Sequence, residues 1–135
     1  MIKSQKNYTF AVGRRKSSSA RVRLFKGVGV NLINDKKVSE VYENKVAEII
    51  LSKPFKLTDT IGKFFFTAKV SGGGKEGQLE AIVHGIARAL TKLDSDKFRV
   101  TLKKNNLLTR DPRVRLRRMV GTGGKARRKK QSPKR

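Results

Sequence analysis

The sequence predicts an α+β fold for the larger, N-terminal part of the chain, followed by a basic extension. Short apolar runs near the start include the alternating segment Arg21-Val22-Arg23-Leu24, which is typical of a half-buried strand. Apolar residues between Gly77 and Leu93 recur at three- and four-residue steps, which is typical of a helix with one buried face. Beyond Asn106 this pattern stops while basic residues accumulate, so the end of the chain has little apolar surface to bury.

Three strands are predicted at the start of the chain. The first two cover residues 7–13 and 20–25, where apolar residues form short runs. Gly27 and Gly29 indicate a turn, and the apolar residues between positions 30 and 33 then predict the third strand.

A helix, a strand and a second helix are predicted to follow. Apolar residues over 35–52 have helical spacing, and Pro54 is expected to end that helix. The aromatic and apolar run at 64–70 predicts a buried strand, and the three glycines at 72–74 predict a loop. The stripe over 77–93 is the clearest helical pattern in the chain.

Residues 95–104 fit two structures. Phe98, Val100 and Leu102 alternate as in a strand, whereas Phe98 and Leu102 alone also share one face of a helix. The pattern therefore leaves the choice between strand and helix open.

The charge of the chain favours a polyanionic partner. There are 34 Lys and Arg against 10 Asp and Glu, a formal net charge of +24. Residues 101–135 hold 14 of the basic residues and one acidic residue, so about half of the excess lies in the last quarter. Nucleic acid fits this distribution better than an anionic membrane, because no long amphipathic helix or lipidation signal is evident.

Composition also argues against an enzyme and against a bound metal. The chain contains no Cys and one His, so neither a cysteine zinc site nor a histidine cluster is expected. That histidine, His84, lies on the side of its helix away from the apolar stripe, one turn from Glu80 and one turn from Arg88. A packed or surface histidine is favoured over a catalytic one, because no nucleophile accompanies it. No cofactor is expected.

The glycine loop resembles phosphate-binding loops only in part. A strand, a glycine-rich turn and a helix is an arrangement that binds phosphate through backbone N–H groups. The nucleotide-binding pattern fails, since Lys69 stands at its first Gly and Glu76 at its Ser or Thr. Gly72, Gly74 and Gly77 do have the spacing of the dinucleotide pattern, but that spacing alone is a weak signal. We expect Gly73, Gly74 and Lys75 to contact an RNA backbone, with a purely structural turn as the alternative.

Two basic segments are predicted to bind RNA. Arg14, Arg15 and Lys16 precede three serines, and adjacent cations beside hydroxyl groups are natural phosphate ligands, although a merely solvated turn is the alternative. The second segment, 110–135, has 12 cations and almost no apolar residues. Such a segment should stay disordered until it meets its partner.

Four motifs in this order resemble one known family, the ninth protein of the small ribosomal subunit. They are Gly13-Arg14-Arg15-Lys16 with Ala20-Arg21-Val22, then Gly27 and Gly29 with Ile33-Asn34, then Gly72-Gly73-Gly74 with Gly77-Gln78 and His84-Gly85-Ile86-Ala87-Arg88-Ala89-Leu90, and Leu107-Leu108-Thr109-Arg110-Asp111-Pro112-Arg113-Val114. The resemblance covers nearly the whole chain. Its third and fourth motifs are the most specific.

The resemblance implies a two-layer α/β sandwich of three strands, helix, strand and helix, with residues 95–104 as a helix. It implies a globular RNA-binding domain over 1–106 and an extended basic tail over 107–135. The implied role is that of a structural constituent of the small subunit, in a cytoplasmic ribosome of bacterial type or that of an organelle. The implied partners are small-subunit ribosomal RNA in the subunit head, neighbouring head proteins and peptidyl-site transfer RNA near its anticodon.

The residues expected to bind RNA belong to these motifs and to the tail. They are Arg14, Arg15, Lys16, Arg21, Gly73, Gly74, Lys75, Arg88, Arg110, Arg113, Arg115, Arg117, Arg118, Lys125, Arg127, Arg128, Lys129 and Lys130. Lys134 and Arg135 are expected to contact transfer RNA. Two departures affect the tail: Leu116 replaces the usual acidic residue, and Ser132-Pro133 precede the last two cations where the family has an aromatic residue and Ser. The alternative function is a free-standing nucleic-acid chaperone or nucleoid-type protein.

Overall fold

A five-stranded sheet with helices on one of its faces forms the structure, a computed structural model that describes residues 7–121. The elements are β1 (Tyr8–Arg15), β2 (Ser18–Lys26), β3 (Leu32–Ile33), β4 (Lys36–Lys37), α1 (Val38–Val41), α2 (Lys45–Leu57), β5 (Phe64–Ser71), α3 (Lys75–Leu93) and α4 (Ser95–Lys104). None of these helices is both long and apolar enough to cross a membrane.

The strands lie in the order β1-β2-β5-β3-β4. All neighbours are antiparallel except β3 and β5, which are parallel. A parallel pair needs a long crossover, and here β4, α1 and α2 provide it.

Alternation along the strands decides which face the helices cover. In β2, Ala20, Val22 and Leu24 are buried, whereas Arg21 and Arg23 between them are exposed. Successive side chains of a strand point to opposite faces, so the helices pack on the face of the apolar residues. The core is therefore a single layer between the sheet and the helices.

Helix α3 is the centre of this layer. Ile82, Ile86 and Leu90 of its stripe are fully buried. The helix crosses β1 very closely where Gly13 of β1 meets Gly85 of α3. A Cβ on Gly13 would lie 1.9 Å from the backbone oxygen of Ala81 and 2.4 Å from the backbone nitrogen of Gly85. These glycines thus set the spacing between sheet and helix.

The helix predicted over 35–52 is wrong at its start. Asn34 and Asp35 both have positive φ, and they form the two-residue turn between β3 and β4. This geometry is that of a type I′ hairpin, which favours Asn and Asp. The Asn34 side chain also exchanges hydrogen bonds with the backbone of Val70 on β5, which fixes the turn against the sheet.

The predicted end of that helix is also wrong. Helix α2 begins after Asn44, whose side chain accepts a hydrogen bond from the Val46 N–H, and it continues through Pro54 to Leu57. Proline inside a helix costs about 3 kcal/mol. Here Pro54 and Phe55 are both buried in the core, and the Phe55 ring stacks 6.4 Å from that of Phe66. This packing offsets the lost hydrogen bond.

The structure resolves the ambiguity at 95–104 in favour of a helix. Asp94 caps α4 by accepting a hydrogen bond from the Lys97 N–H, and Leu102 is fully buried. The α+β fold class is confirmed, with one short strand, β4, and one short helix, α1, beyond those expected.

Candidate nucleic-acid interface

The basic turn and the glycine loop, which are far apart in the sequence, lie against each other. The turn between β1 and β2 contains Lys16, with φ +51°, and Ser17. The Ser18 hydroxyl donates a hydrogen bond of 3.1 Å to the carbonyl of Gly72. Lys16 and Ser17 are exposed, so this junction presents a cation and a hydroxyl beside the loop.

The glycines of the loop are required for this contact. Gly72 and Gly73 have φ of +76° and +65°, a region that L side chains rarely adopt. A Cβ on Gly73 would lie 2.0 Å from the Ser18 hydroxyl oxygen. The loop therefore has a structural reason for its glycines, in addition to any contact with a phosphate.

The loop ends at the start of α3. Gly74 is the N-cap, and no side chain caps the helix there. Lys75, the first residue of α3, is exposed, and a Cβ on Gly74 would meet no atom within 4 Å. A helix N-terminus carries positive potential and free N–H groups, so the surface around Lys16 and Lys75 is suited to an anion.

The two neighbouring arginines of the basic turn differ in their surroundings. Arg14 is exposed, whereas the side chain of Arg15 is 12% exposed. The Arg15 guanidinium pairs with Glu80, donates a hydrogen bond of 2.6 Å to the carbonyl of Arg113, and lies 3.4 Å from the Asp111 carboxylate. Arg15 therefore joins the start of the tail to α3.

Asp111 is the second member of this junction, and apart from the family motif no sequence pattern indicates its role. Its carboxylate accepts hydrogen bonds from the Arg113 backbone and guanidinium, at 3.0 Å and 2.7 Å. The hydrogen bonds that Arg113 donates hold the pKa of Asp111 well below its usual range, and the same bonds to the Asp111 carboxylate raise the pKa of Arg113. Arg113 is thus exposed but already paired.

His84 joins the tail to β1. Its Nδ1 accepts a hydrogen bond from the Arg14 N–H at 3.2 Å, and its Nε2 lies 3.2 Å from the carbonyl of Leu108. Nε2 must then donate to Leu108, which assigns the neutral ring with its proton on Nε2. Leu107 and Leu108 pack against the core, so the tail leaves the domain from a fixed point.

Three side chains of α3 cover the outer edge of β1. Besides His84, Arg88 donates a hydrogen bond to the carbonyl of Val12, and Lys92 donates one of 3.3 Å to the carbonyl of Phe10. β1 is an edge strand, and edge strands expose unpaired backbone groups. Arg88, which the sequence suggested as an RNA contact, therefore also has a structural role.

Arg21 lies apart from the basic turn, on the sheet face opposite the helices. Arg23 on β2 and Lys69 on β5 share that face, and Lys69 is directly opposite Arg21. These two cations are not among the RNA contacts predicted from the sequence, although the alternation in β2 places Arg23 on the same face as Arg21.

The described part of the tail has no helix or strand after Asn106. Arg110, Arg115, Arg117 and Arg118 are exposed there. The remaining predicted contacts lie outside the described residues: Lys125, Arg127, Arg128, Lys129, Lys130, Lys134 and Arg135. Within 7–121, no three His, Asp or Glu side chains are grouped so that they could hold a metal ion.

We expect the stability of the domain to fall as the pH is lowered from 7.5 to 5.5. Burial lowers the pKa of His84 below its usual value of 6.5, and the neighbouring Arg88 and Arg110 act in the same direction. Unfolding then allows protonation, so stability is full above pH ~6.5 and declines below it until the folded-state pKa is reached. Melting temperatures across this range test the expectation.

The histidine is unique in the chain, so the control is direct. In His84→Gln the slope of melting temperature against pH should be nearly flat between pH 5.5 and 7.5. The surrounding groups, Glu80 and Asp111 among them, remain in that variant. An unchanged slope would show that His84 is not the group responsible.

Comparisons with known proteins identify relatives of this chain. Residues 13–135 match the family model described as ribosomal protein S9/S16. A protein named small ribosomal subunit protein uS9 from Maridesulfovibrio salexigens is 42% identical over 119 residues, which are 88% of this chain and 91% of that protein. Proteins of the same name from two strains of Dehalococcoides mccartyi are 47% identical over 114 residues, 84% of this chain and 86% of theirs. The matched region includes the basic turn, the glycine loop and the start of the tail, and the chain belongs to the S9/S16 family of ribosomal proteins.

Proposed function

We propose that this chain is a structural constituent of the small subunit of a bacterial-type ribosome, where it binds ribosomal RNA of the subunit head and neighbouring proteins. Family membership supports this proposal, and the relatives named above are bacterial. The observation that carries it is the surface formed by the basic turn and the glycine loop. There the turn that contains Lys16 contacts the loop that leads into α3, whose N-terminus begins at Lys75 and has no side-chain cap.

We assign different roles to the domain and to the tail because of the way the tail begins. Residues 1–106 form the RNA-binding domain, and residues 107–135 form the tail. The contacts of Arg15 with Asp111 and of His84 with Leu108 fix where the tail leaves the domain. A cationic segment that starts from a fixed point is suited to contact phosphates along RNA. We extend the proposal to the end of the tail, with Lys134 and Arg135 touching peptidyl-site transfer RNA near its anticodon.

Binding to small-subunit ribosomal RNA should depend steeply on salt. The slope of log K against log salt is about −0.7 per neutralised phosphate on single strands, so eight contacts give a slope near −6. Replacing Lys16 and Lys75 together by Gln should make the slope shallower by about 1.4. Filter binding between about 50 and 200 mM salt measures this slope.

A matched control removes the same charge elsewhere. Lys103 and Lys104 are exposed in the last turn of α4, and their double Gln variant should keep the native slope. A native slope shallower than about −2 would contradict an electrostatic interface. Equal losses in both double variants would show that net charge matters and the turn–loop surface does not.

Sedimentation separates the proposal from a free-standing nucleic-acid chaperone. A ribosomal constituent co-migrates stoichiometrically with small subunits at moderate salt. A chaperone or nucleoid protein would be distributed over many nucleic acids and be removed by the same wash, because non-specific binding is mostly electrostatic.

Removing residues 129–135 should leave incorporation into the small subunit nearly intact and speed the dissociation of transfer RNA from the peptidyl site. The deleted segment contains four cations and none of the large apolar side chains that a hydrophobic core requires. Contacts in a wet site are each worth roughly 0.2–1 kcal/mol, so a modest acceleration is expected. Protein occupancy of purified subunits and the transfer RNA dissociation rate are the two measurements. An unchanged rate in fully occupied subunits would contradict the role of Lys134 and Arg135.

A further inference from the structure

The sheet face opposite the helices has no helix of residues 7–121 packed on it. The outward residues of β1, β2 and β5 are exposed or half-buried, whereas their neighbours toward α3 are buried. A hollow of about 480 Å³ lies on this open face. Its lining includes Phe10, Arg21, Arg23, Phe25, Asp35 and Lys69.

Basic side chains outnumber acidic ones on the open face. Arg21 and Lys69 stand directly opposite each other on adjacent strands, an arrangement of like charges that is destabilising by itself. Asp35 is the one acidic residue that lines the hollow. Within residues 7–121, none of Arg21, Arg23 and Lys69 forms an ion pair with a carboxylate. The surface is therefore complementary to an anion.

The same face carries an ordered aromatic cluster. The rings of Phe25 and Phe65 stack at 5.0 Å with planes 11° apart, and Tyr8 lies 5.5 Å from Phe25. The Arg23 guanidinium lies 5.3 Å above the Tyr8 ring. Phe10 lies on the neighbouring strand β1, directly opposite Arg23, and is 41% exposed. An exposed ring beside several cations is the combination that binds unpaired nucleotides.

We infer that the open sheet face binds an unpaired RNA segment, with a base stacked on Phe10 and phosphates held by Arg21, Arg23 and Lys69. This inference rests on the proposed function, in which RNA is the partner. Unpaired RNA offers both phosphates and accessible base planes. Duplex RNA hides its base planes, and an acidic peptide offers charge without a stacking base. The turn–loop surface around Lys16 and Lys75 is a different surface, so the two are separable by mutation.

A fluorescent reporter tests the stacking contact in the full chain. The chain contains no Trp, so Phe10→Trp introduces a single indole at the proposed stacking position. A single-stranded RNA of ten uridines should quench its emission, since stacking on a base quenches indole. Val100 of α4 is 72% exposed in the helical layer, and Val100→Trp is the matched control that should not be quenched. Polyphosphate and polyglutamate should leave the Phe10→Trp emission unchanged.

A second pair of variants tests the phosphate contacts without a reporter. Arg21→Gln with Lys69→Gln should weaken binding of the same RNA by about tenfold, if two exposed charge contacts are lost. Lys103→Gln with Lys104→Gln removes equal charge and should weaken it by less than about twofold.

The outcomes separate this inference from the proposed function. If Phe10→Trp is not quenched, or the two double variants bind equally, the open face does not bind RNA, while co-sedimentation with small subunits still supports the proposed function. Equal quenching by polyglutamate would make a protein segment the occupant and overturn the inference. If the native chain neither binds ribosomal RNA nor co-sediments, the proposed function itself is wrong.

Discussion

Replacing Gly13 by Ala is expected to destabilise the domain by about 3 kcal/mol or more and to lower its melting temperature by roughly 10 °C or more. The added Cβ would lie 1.9 Å from the backbone oxygen of Ala81 and 2.4 Å from the backbone nitrogen of Gly85. Both atoms belong to the backbone of α3, which cannot turn aside as a side chain can. The helix must shift away from the sheet, and the core loses contacts along its length.

A second glycine and a control sharpen this experiment. A Cβ on Gly85 would meet the Val22 side chain at 2.6 Å, so Gly85→Ala should also destabilise, although Ala is the better helix former by about 1 kcal/mol. Val22→Ala should rescue Gly85→Ala in part and should not rescue Gly13→Ala. Gly74→Ser adds a Cβ in open space at a helix N-cap and should be neutral or stabilising. Equal, small effects of Gly13→Ala and Gly74→Ser in thermal melts would contradict the close approach of β1 and α3.

The adjacent variants Arg14→Gln and Arg15→Gln should have opposite effects, although each removes one charge. Arg15→Gln should destabilise the domain by about 2 kcal/mol, because its guanidinium bonds Glu80 and the carbonyl of Arg113. Arg14 is exposed, so Arg14→Gln should keep the native melting temperature while weakening binding to ribosomal RNA. Thermal melts and filter binding on the same two proteins give the comparison.

A double-mutant cycle tests whether Arg15 acts through its partner. Glu80→Gln should cost clearly less stability in the Arg15→Gln background than in the native chain, because the pair is already broken. Additive losses would show that the two side chains do not interact. Native stability of Arg15→Gln with strongly reduced RNA binding would show that Arg15 acts as an RNA contact, as the sequence predicts, and not as a link between the tail and α3.

Much of the fold follows from periodicity, and the misses have physical causes. The alternation in β2 and the stripe of α3 are buried where the pattern indicates. The apolar pattern over 35–52 predicts a helix that wrongly includes Asp35, because short turn signals are weak beside an apolar pattern that follows them. Pro54 predicts a helix end, and this prediction is wrong because the burial of Pro54 depends on tertiary packing that a local pattern does not contain.

The sequence predicts which residues belong to the candidate interface, but it does not predict which of them lie together in the fold. Family membership confirms the resemblance drawn from the motifs, and with it the prediction of a ribosomal protein and not an enzyme. Local sequence could not separate Arg14 from Arg15, because the difference depends on Glu80 and Asp111, which come from distant segments. The junction of the turn with the glycine loop likewise depends on the pairing of β2 with β5.

The most direct test of the central claim is to map where the chain lies on small-subunit ribosomal RNA. The chain contains no Cys, so Val114→Cys provides a single thiol in the exposed part of the tail for an iron chelate that generates hydroxyl radicals. In reconstituted small subunits, we expect cleavage at a few neighbouring stretches of head RNA, the same in every preparation. Cleavage spread weakly over the whole RNA, or subunits that lack the protein, would contradict a unique ribosomal site.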